Sequence, residues 1–255
     1  MANLYYREDL AAGQLAPGAL VEVTGEEARH AVRVSRLRQG ERILLGDGAG
    51  TLGAGVAEQV AKDRFAVRIE RVEAAPEPTQ RLVLVQALAK GDRDERAVEQ
   101  ATEFGVDEIV PWQAARSVSR WDGAGGSEKS AKGVAKWARV AREASKQSLR
   151  ARVPRVAPPV SLDDLCRMAT EADAEVVALH PRSGRRLVAW AGGAAARSAQ
   201  RIVLVVGPEG GFADGELDAL EAAGASVLVL GDTVLRTSSA GPAALAVLGA
   251  ALGRW

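Results

Sequence analysis

Apolar residues run unbroken through Ile202–Val206 and Val227–Leu230, and each run stops at glycine: Gly207-Pro208-Glu209-Gly210-Gly211 after the first, Gly231 after the second. Short apolar runs bounded this way predict strands buried on both faces, as in a parallel sheet covered by helices. Leu82–Leu88 and Val176–Leu179 share that character, and Glu108–Pro111 reads as a further strand. Between them the apolar spacing changes to helical. Asp92–Phe104 is predicted helical, with Asp92 and Glu95 as a capping box and Gly105 as its stop. A long helix is predicted from Glu128 to about Leu149, and shorter ones over Leu162–Ala169 and Gly215–Ala223, the last with Asp214 as N-cap. Alternating strands and helices predict an α/β domain with a mainly parallel sheet.

The first 73 residues follow a different pattern. Leu20–Thr24, Arg42–Gly46, Leu52–Val60 and Phe65–Val72 have strand character and are joined by turns such as Asp47-Gly48-Ala49-Gly50. One helix, Gly25–Val34, is expected among them, with Thr24 and Glu27 as a capping box. Ala74–Gln80 is polar with two prolines and reads as the linker between a module over 1–73 and a domain over 81–255. Ser117–Ser127 reads as a loop. The last helix, Ser239–Leu252, has Pro242 in its first turn and is apolar almost all round, so it must be covered by its own domain or by a second subunit.

Composition narrows the class. Apolar content of 47% and charged content of 26% are those of a globular chain, and 33 basic side chains balance 33 acidic ones. Any basic surface must therefore come from local segregation. Cys166, the single cysteine, excludes an intrachain disulfide and a multi-cysteine metal site. The N-terminal residues show no basic segment followed by an apolar core, and no apolar run approaches the roughly 20 residues of a membrane span. A soluble, cytoplasmic protein is expected.

Local chemistry then becomes informative. The loop after Val206 has neither the Gly-x-Gly-x-x-Gly order of a dinucleotide fold nor the Lys-Ser/Thr of a P-loop. Glu209 disfavours a bound phosphate there, leaving a tight turn or a site for a neutral or cationic ligand. Lys129, Lys132, Lys136, Arg139, Arg142, Lys146 and Arg150 recur every three or four residues, and Arg152 and Arg155 continue the run. Glu143 is the single acid among those nine bases. Arg29, His30, Arg33, Arg36, Arg38 and Arg42 form a second cluster. Two such patches are either solvated faces or contacts for an extended polyanion such as RNA. His30 and His180, the only histidines, have no carboxylate or thiol at ligand spacing, so no metal is expected.

These features resemble the ribosomal small-subunit methyltransferase E family, SPOUT-class enzymes that use S-adenosyl-L-methionine to methylate N3 of a uridine in 16S rRNA. The resemblance rests on Leu179-His180-Pro181-Arg182, Gly207-Pro208-Glu209-Gly210-Gly211 and Leu230-Gly231-x-x-x-Leu235-Arg236-Thr237, in that order. Further matches are His30…Val34-x-Arg36, Gly91…Glu99-x-x-x-Glu103-x-Gly105-Val106 and Glu143-x-x-x-Gln147-x-x-Arg150-x-Arg152-Val153-Pro154, so nearly the whole chain is covered. It implies an N-terminal PUA-like β-barrel over 1–73 and a C-terminal SPOUT α/β domain with a trefoil knot over 81–255. Cofactor contacts are implied for Leu179, His180, Pro181, Gly207, Pro208, Glu209, Gly210, Leu230, Gly231, Leu235, Arg236 and Thr237. RNA contacts are expected from Arg33, Arg36, Arg38, Lys146, Arg150 and Arg152. A homodimer acting on 16S rRNA of the small subunit is implied, and it favours a subunit contact for the last helix.

Uracil N3 carries a proton at neutral pH, so a site of this kind must remove it or stabilise the anion that develops on the base. Arg236 is the candidate for that stabilisation, with a structural or phosphate-binding role as its alternative. The family often continues Arg-Thr-Glu-Thr-Ala where this chain has Arg236-Thr237-Ser238-Ser239-Ala240, so no glutamate role carries over. Two other readings stay open: a SPOUT enzyme acting on a ribose 2′-oxygen or a tRNA base, and a non-catalytic RNA-binding ribosome-assembly protein.

Overall fold

In the computed structural model, residues 3–11, 13–121 and 128–255 are described. Of the loop expected over 117–127, residues 122–127 lie outside them. The chain divides into two compact units, one of Met1–Glu77 with Ser145–Val153, the other of Pro78–Ala144 with Pro154–Trp255.

The first unit is built on β1 (Leu4–Tyr6), β2 (Leu20–Thr24), α1 (Gly25–Arg33), β3 (Arg42–Gly46), β4 (Thr51–Val60) and β5 (Arg64–Ala74). Its strand order is β1-β3-β4-β5-β2, antiparallel except for the parallel pair β1 and β3. Register shifts in β4 at Ala54/Gly55 and Ala57/Gln59 bend the strand and increase its twist, which favours curling. β2 alternates exposed and buried along its length, placing Val21 and Val23 in a core with Tyr5, Ile43, Leu45, Phe65, Val67 and Ile69. Ala28 and Ala31 of α1 close that core. The expected capping box at Thr24 does not form. Glu27 instead accepts from the Tyr6 backbone N–H at 3.1 Å and pairs with Lys146 at 3.4 Å, both within this unit.

The second unit contains β6 (Arg81–Ala87), α2 (Arg93–Glu103), β7 (Glu108–Trp112), most of α3 (Glu128–Gln147), β8 (Arg155–Val156), α4 (Leu162–Ala169), β9 (Ala174–Leu179), α5 (Leu187–Ala191), α6 (Ala194–Ser198), β10 (Arg201–Val206), α7 (Asp214–Ala222), β11 (Ser226–Leu228) and α8 (Thr237–Ala251). All six strands are parallel, in the order β11-β9-β10-β6-β7-β8. Unbroken apolar strands are explained by two covered faces. Leu82, Leu84, Ile202 and Leu204 enter one core with α8, while Val83, Val85, Val203 and Val205 enter another with α7. From β6 the chain builds outward to β7 and β8, then returns beyond β10 to β9. The strand order therefore reverses between β6 and β10, and the carboxyl ends of strands beside such a switch point form a ligand crevice.

Several helix ends differ from expectation. α8 starts at Thr237, with Arg236 as N-cap, so Pro242 falls in its second turn and leaves the Ser238 carbonyl without its helical donor. α7 starts at Asp214 with Ala213 as N-cap, and the Glu216 carboxylate accepts from the Ala213 N–H at 2.7 Å. Asp92 precedes α2 but turns its side chain to Arg96 rather than to the backbone. α8 packs on α2, α5, β6 and β10, burying Gly241, Ala244, Leu245 and Leu248. Ala243, Ala246 and Val247 stay half-buried and Ala250 is exposed. Among the described residues no helix is long and apolar enough to cross a membrane.

Candidate active site

A cavity of about 570 Å³ opens at the carboxyl ends of β9 and β10. Leu179, His180 and Pro181 supply one wall, and the loop from Val206 to Phe212 supplies the second. Val234 to Thr237, with Ala240 on the first turn of α8, form the third, and Arg93 at the start of α2 closes the rim. Of the twelve expected cofactor residues, ten line this cavity and two do not. Leu230 is half-buried and packs into the core, and Gly231 lies outside the lining in open space. The sequence reading gave no site role to Arg93 and Val234, which carry no motif signal, nor to Val206 and Ala240, read only as the ends of a strand and of the run after Arg236. Gly211 closed a quoted motif but was given no role, and Phe212 is the residue after it.

The loop after β10 is held by hydrogen bonds to its own carbonyls. Trp112 Nε1 donates to Val206 O at 3.0 Å, Thr237 Oγ1 to Gly207 O at 2.7 Å, and Gly211 N to Pro208 O at 2.9 Å. Arg116 donates to Phe212 O at 2.8 Å. Among the described residues no acceptor partners the N–H groups of Glu209, Gly210 and Phe212, so the loop has backbone donors to offer. Donors suit ring nitrogens, carboxylates and hydroxyl lone pairs. Phe212 folds beneath the loop, 5.6 Å from Trp112 between ring centroids, and a Cβ at Gly207 would lie 2.9 Å from its ring. Gly211 has φ of +69°, a left-handed conformation that glycine adopts without steric cost.

Glu209 has a different role from the one its charge suggested. Its carboxylate accepts from the Lys90 backbone N–H at 3.1 Å and lies 3.9 Å from Arg93. It thereby ties the loop after β10 to the loop after β6. His180 accepts at Nδ1 from the Arg182 N–H at 3.2 Å, so a neutral ring must carry its proton on Nε2. Burial, together with the positive charges of Arg182 and Arg116, holds its pKa below the ordinary histidine value. His180 is thus a neutral donor at pH 7. Arg182 is locked to Asp218 and Glu221 of α7. Arg236 is exposed at the rim, and among the described residues no acceptor engages its guanidinium.

The residues expected to meet RNA divide into two groups. Arg33, Arg36 and Arg38 are exposed in the first unit and pair with no carboxylate among the described residues. In the same unit, a cavity of about 480 Å³ is lined by Arg29, Lys62 and Arg64 beside Asp63. Lys146 corrects the helical-stripe expectation: it is buried against Glu27, with side-chain exposures of 7% and 10%. Arg152 is likewise committed within its unit, donating to the carbonyls of Ala49 and Ala75 and pairing with Glu77 at 3.0 Å. Arg150 is half-buried, and its carbonyl accepts from the Tyr6 hydroxyl. The N-terminal half of α3 keeps Lys129, Lys132, Lys136 and Arg139 exposed. Among the described residues no cluster of three His, Cys, Asp or Glu side chains could hold a metal ion.

Comparison with known proteins places this geometry in a family. Residues 75–249 match the family model of an RNA methyltransferase domain, and residues 23–70 match that of an RNA methyltransferase PUA domain. The chain is 43% identical over 241 residues to ribosomal RNA small subunit methyltransferase E of Mycobacterium bovis, covering 93% of this chain and 89% of that one. The structure of Legionella pneumophila Lpg2936 with bound cofactor SAM superposes with a TM-score of 0.84 at 31% identity, over 98% of each chain. Ribosomal RNA small subunit methyltransferase E of Neisseria gonorrhoeae, bound to S-adenosyl methionine, gives 0.83 at 26% identity and the same coverage. A three-walled crevice at the sheet's switch point, a first unit with a curled sheet and exposed arginines, and likeness along nearly the whole chain agree: the chain belongs to the ribosomal RNA small subunit methyltransferase E family.

Proposed function

We propose that this protein transfers a methyl group from S-adenosylmethionine to N3 of a uridine in the 16S rRNA of the small ribosomal subunit. The observation that carries the proposal is the cavity at the ends of β9 and β10, lined by ten of the twelve residues expected to hold this cofactor. The residues suit it chemically. Backbone donors after β10 match the acceptors of adenine and of the ribose, the His180 Nε2–H suits a carboxylate or hydroxyl, and the wall of Leu179, Val206 and Phe212 suits an apolar ring face. When bound, S-adenosylmethionine supplies an electrophilic methyl group on a cationic sulfur.

The remaining work falls to the protein's own groups. Arg236, at the rim, offsets negative charge developing on the uracil ring as its N3 proton passes to solvent water. His180, neutral with its Nδ1 lone pair engaged, is not the proton acceptor. The cavity walls hold the acceptor near attack geometry, which supplies much of the rate. Arg33 at the end of α1, with Arg36 and Arg38 in the loop before β3, bind the RNA backbone. A target base within structured RNA must be turned out to reach the cavity.

The reading includes the trefoil knot, a cytoplasmic location and a homodimer. The dimer is supported by the half-exposed stripe of Ala243, Ala246, Val247 and Ala250 on α8, near exposed Val234 and Leu235 in sequence. Light scattering on the purified protein tests it, and a monomer at micromolar concentration would remove it. The reaction is tested by nucleoside mass spectrometry of 16S rRNA from a strain lacking the gene. Loss of N3-methyluridine, restored by the gene, supports the proposal, and an unchanged level refutes it.

A further inference from the structure

Strand β6 is apolar through Leu82, Val83, Leu84 and Val85 and then places Gln86, fully buried, at its carboxyl end. Gln86 Nε2 donates to Thr237 Oγ1 at 2.8 Å, and Thr237 Oγ1 donates to Gly207 O at 2.7 Å. The polarity of this relay is forced. A carbonyl can only accept, so the Thr237 hydroxyl must direct its single hydrogen at Gly207. Its lone pair is what remains for Gln86, whose amide must therefore present nitrogen. The second amide hydrogen reaches Ala87 O at 3.2 Å, and among the described residues nothing partners the buried Oε1.

An unpaired buried oxygen is a standing cost to stability, and an apolar side chain of the same volume would avoid it. The relay joins the loop after β10, through Gly207, to the first residue of α8, whose N-cap is Arg236. We infer that Gln86 is a positioning residue for methyl transfer, one that fixes the Arg236 peptide against the Gly207 loop at the expense of core stability. The inference rests on the methyl-transfer reading above. It separates stability from activity in a way that a purely structural residue does not.

The test uses the full chain, small ribosomal subunits and labelled S-adenosylmethionine, with calorimetry for cofactor binding and thermal melting for stability. Gln86→Met keeps the volume and removes the amide. It should melt at or above the parent temperature while kcat falls by about tenfold to a hundredfold, as expected for a displaced catalytic geometry. KM for S-adenosylmethionine should change by less than about threefold, since the loss lies in the transition state. Thr237→Val should lose kcat similarly, and Thr237→Ser, which keeps the hydroxyl, should recover most of it. The double variant Gln86→Met/Thr237→Val should be no slower than either single one, because both break one chain of bonds. Parent-like kcat in Gln86→Met, a kcat loss that follows a fall in melting temperature, or multiplying losses in the double variant would overturn the inference. A parent protein that neither binds S-adenosylmethionine nor methylates the subunit would instead overturn the reading beneath it.

Discussion

Gly207→Ala tests whether the loop after β10 grips the cofactor through its backbone. The added Cβ would meet Phe212 Cδ2 at 2.9 Å and Cε2 at 3.1 Å, with the Gly211 carbonyl carbon at 3.3 Å. Carbon atoms rest about 3.5–4.0 Å apart, so the ring must retreat by roughly half an ångström or more. It has little room to do so: Phe212 is 2% exposed, tilted against Trp112 and edge-on to His180 at 6.1 Å. Overpacking of this kind typically costs about 1–3 kcal/mol. The strain is most easily relieved where the chain is least constrained, by shifting residues 208–211 into the cavity. The cost should then be felt in binding, weakening affinity for S-adenosylmethionine by about 5-fold to 150-fold at 1.4 kcal/mol per decade. Calorimetric titration of the cofactor measures it directly, with a melting curve to show that the variant folds. Gly207→Ala combined with Phe212→Leu, which removes ring atoms from the contact, should recover part of the loss. Affinity within about twofold of the parent, well under one decade or 1.4 kcal/mol, would refute the claim that this backbone position touches the ligand.

Other outcomes follow from the same geometry. Arg236→Ala should lower methyl transfer by about 100-fold to 1000-fold, with little change in calorimetric affinity for S-adenosylmethionine, as for loss of a group that stabilises developing charge. Equal losses in both would mean that the guanidinium holds the cofactor instead. Lys146→Met should destabilise the protein to urea by about 3–5 kcal/mol, because the buried Glu27 carboxylate loses its Lys146 partner. It should leave the salt dependence of RNA binding unchanged, whereas Arg36→Ala should lower that slope by about one. The pKa of His180 is depressed in the folded state by burial and by Arg182 and Arg116, so the unfolded chain binds the proton more readily. Its contribution is therefore fully present above the unfolded histidine value of about 6.5 and is lost as pH falls from there through the folded value. Melting temperatures of His180→Gln between pH 5 and 8 should show a weaker acid-side decline than the parent, and parallel curves would contradict this assignment.

How much of this was legible in the sequence depends on whether a feature is set by local pattern or by a distant partner. Strands β6, β9 and β10 were legible because covering both faces of a sheet requires an unbroken apolar run. The helix caps were less so. Thr24 with Glu27 and Asp92 with Glu95 fit the spacing of a capping box, yet Glu27 turns to Tyr6 and Lys146, and Asp92 to Arg96. A carboxylate offered an ammonium or a guanidinium gains an ion pair with a full cation in place of a bond to a backbone N–H alone. Nor does the basic stripe of 129–155 announce that Ser145–Val153 packs with the first unit, since helical spacing is the same on either side of Ala144.

The same reasoning decides which arginines are available to a substrate. Arg116, Arg152 and Arg182 read no differently from Arg36 and Arg236 in a one-dimensional sequence. In three dimensions the first three are satisfied by carbonyls and carboxylates, which fix the loop after β10, the return of 145–153 and the loop after β9 against α7. Arg36 and Arg236 have no such partner among the described residues and keep a full set of donors facing outward. Resemblance found the cavity walls because glycine, proline and histidine there are required by the shape of the chain. It could not sort the cations, because a guanidinium's role is set by the acceptors the fold brings to it, and those acceptors are largely backbone oxygens that no side-chain motif records. Gln86 escaped notice for the same reason, since both groups it links through Thr237 are read from the chain's path rather than from its letters.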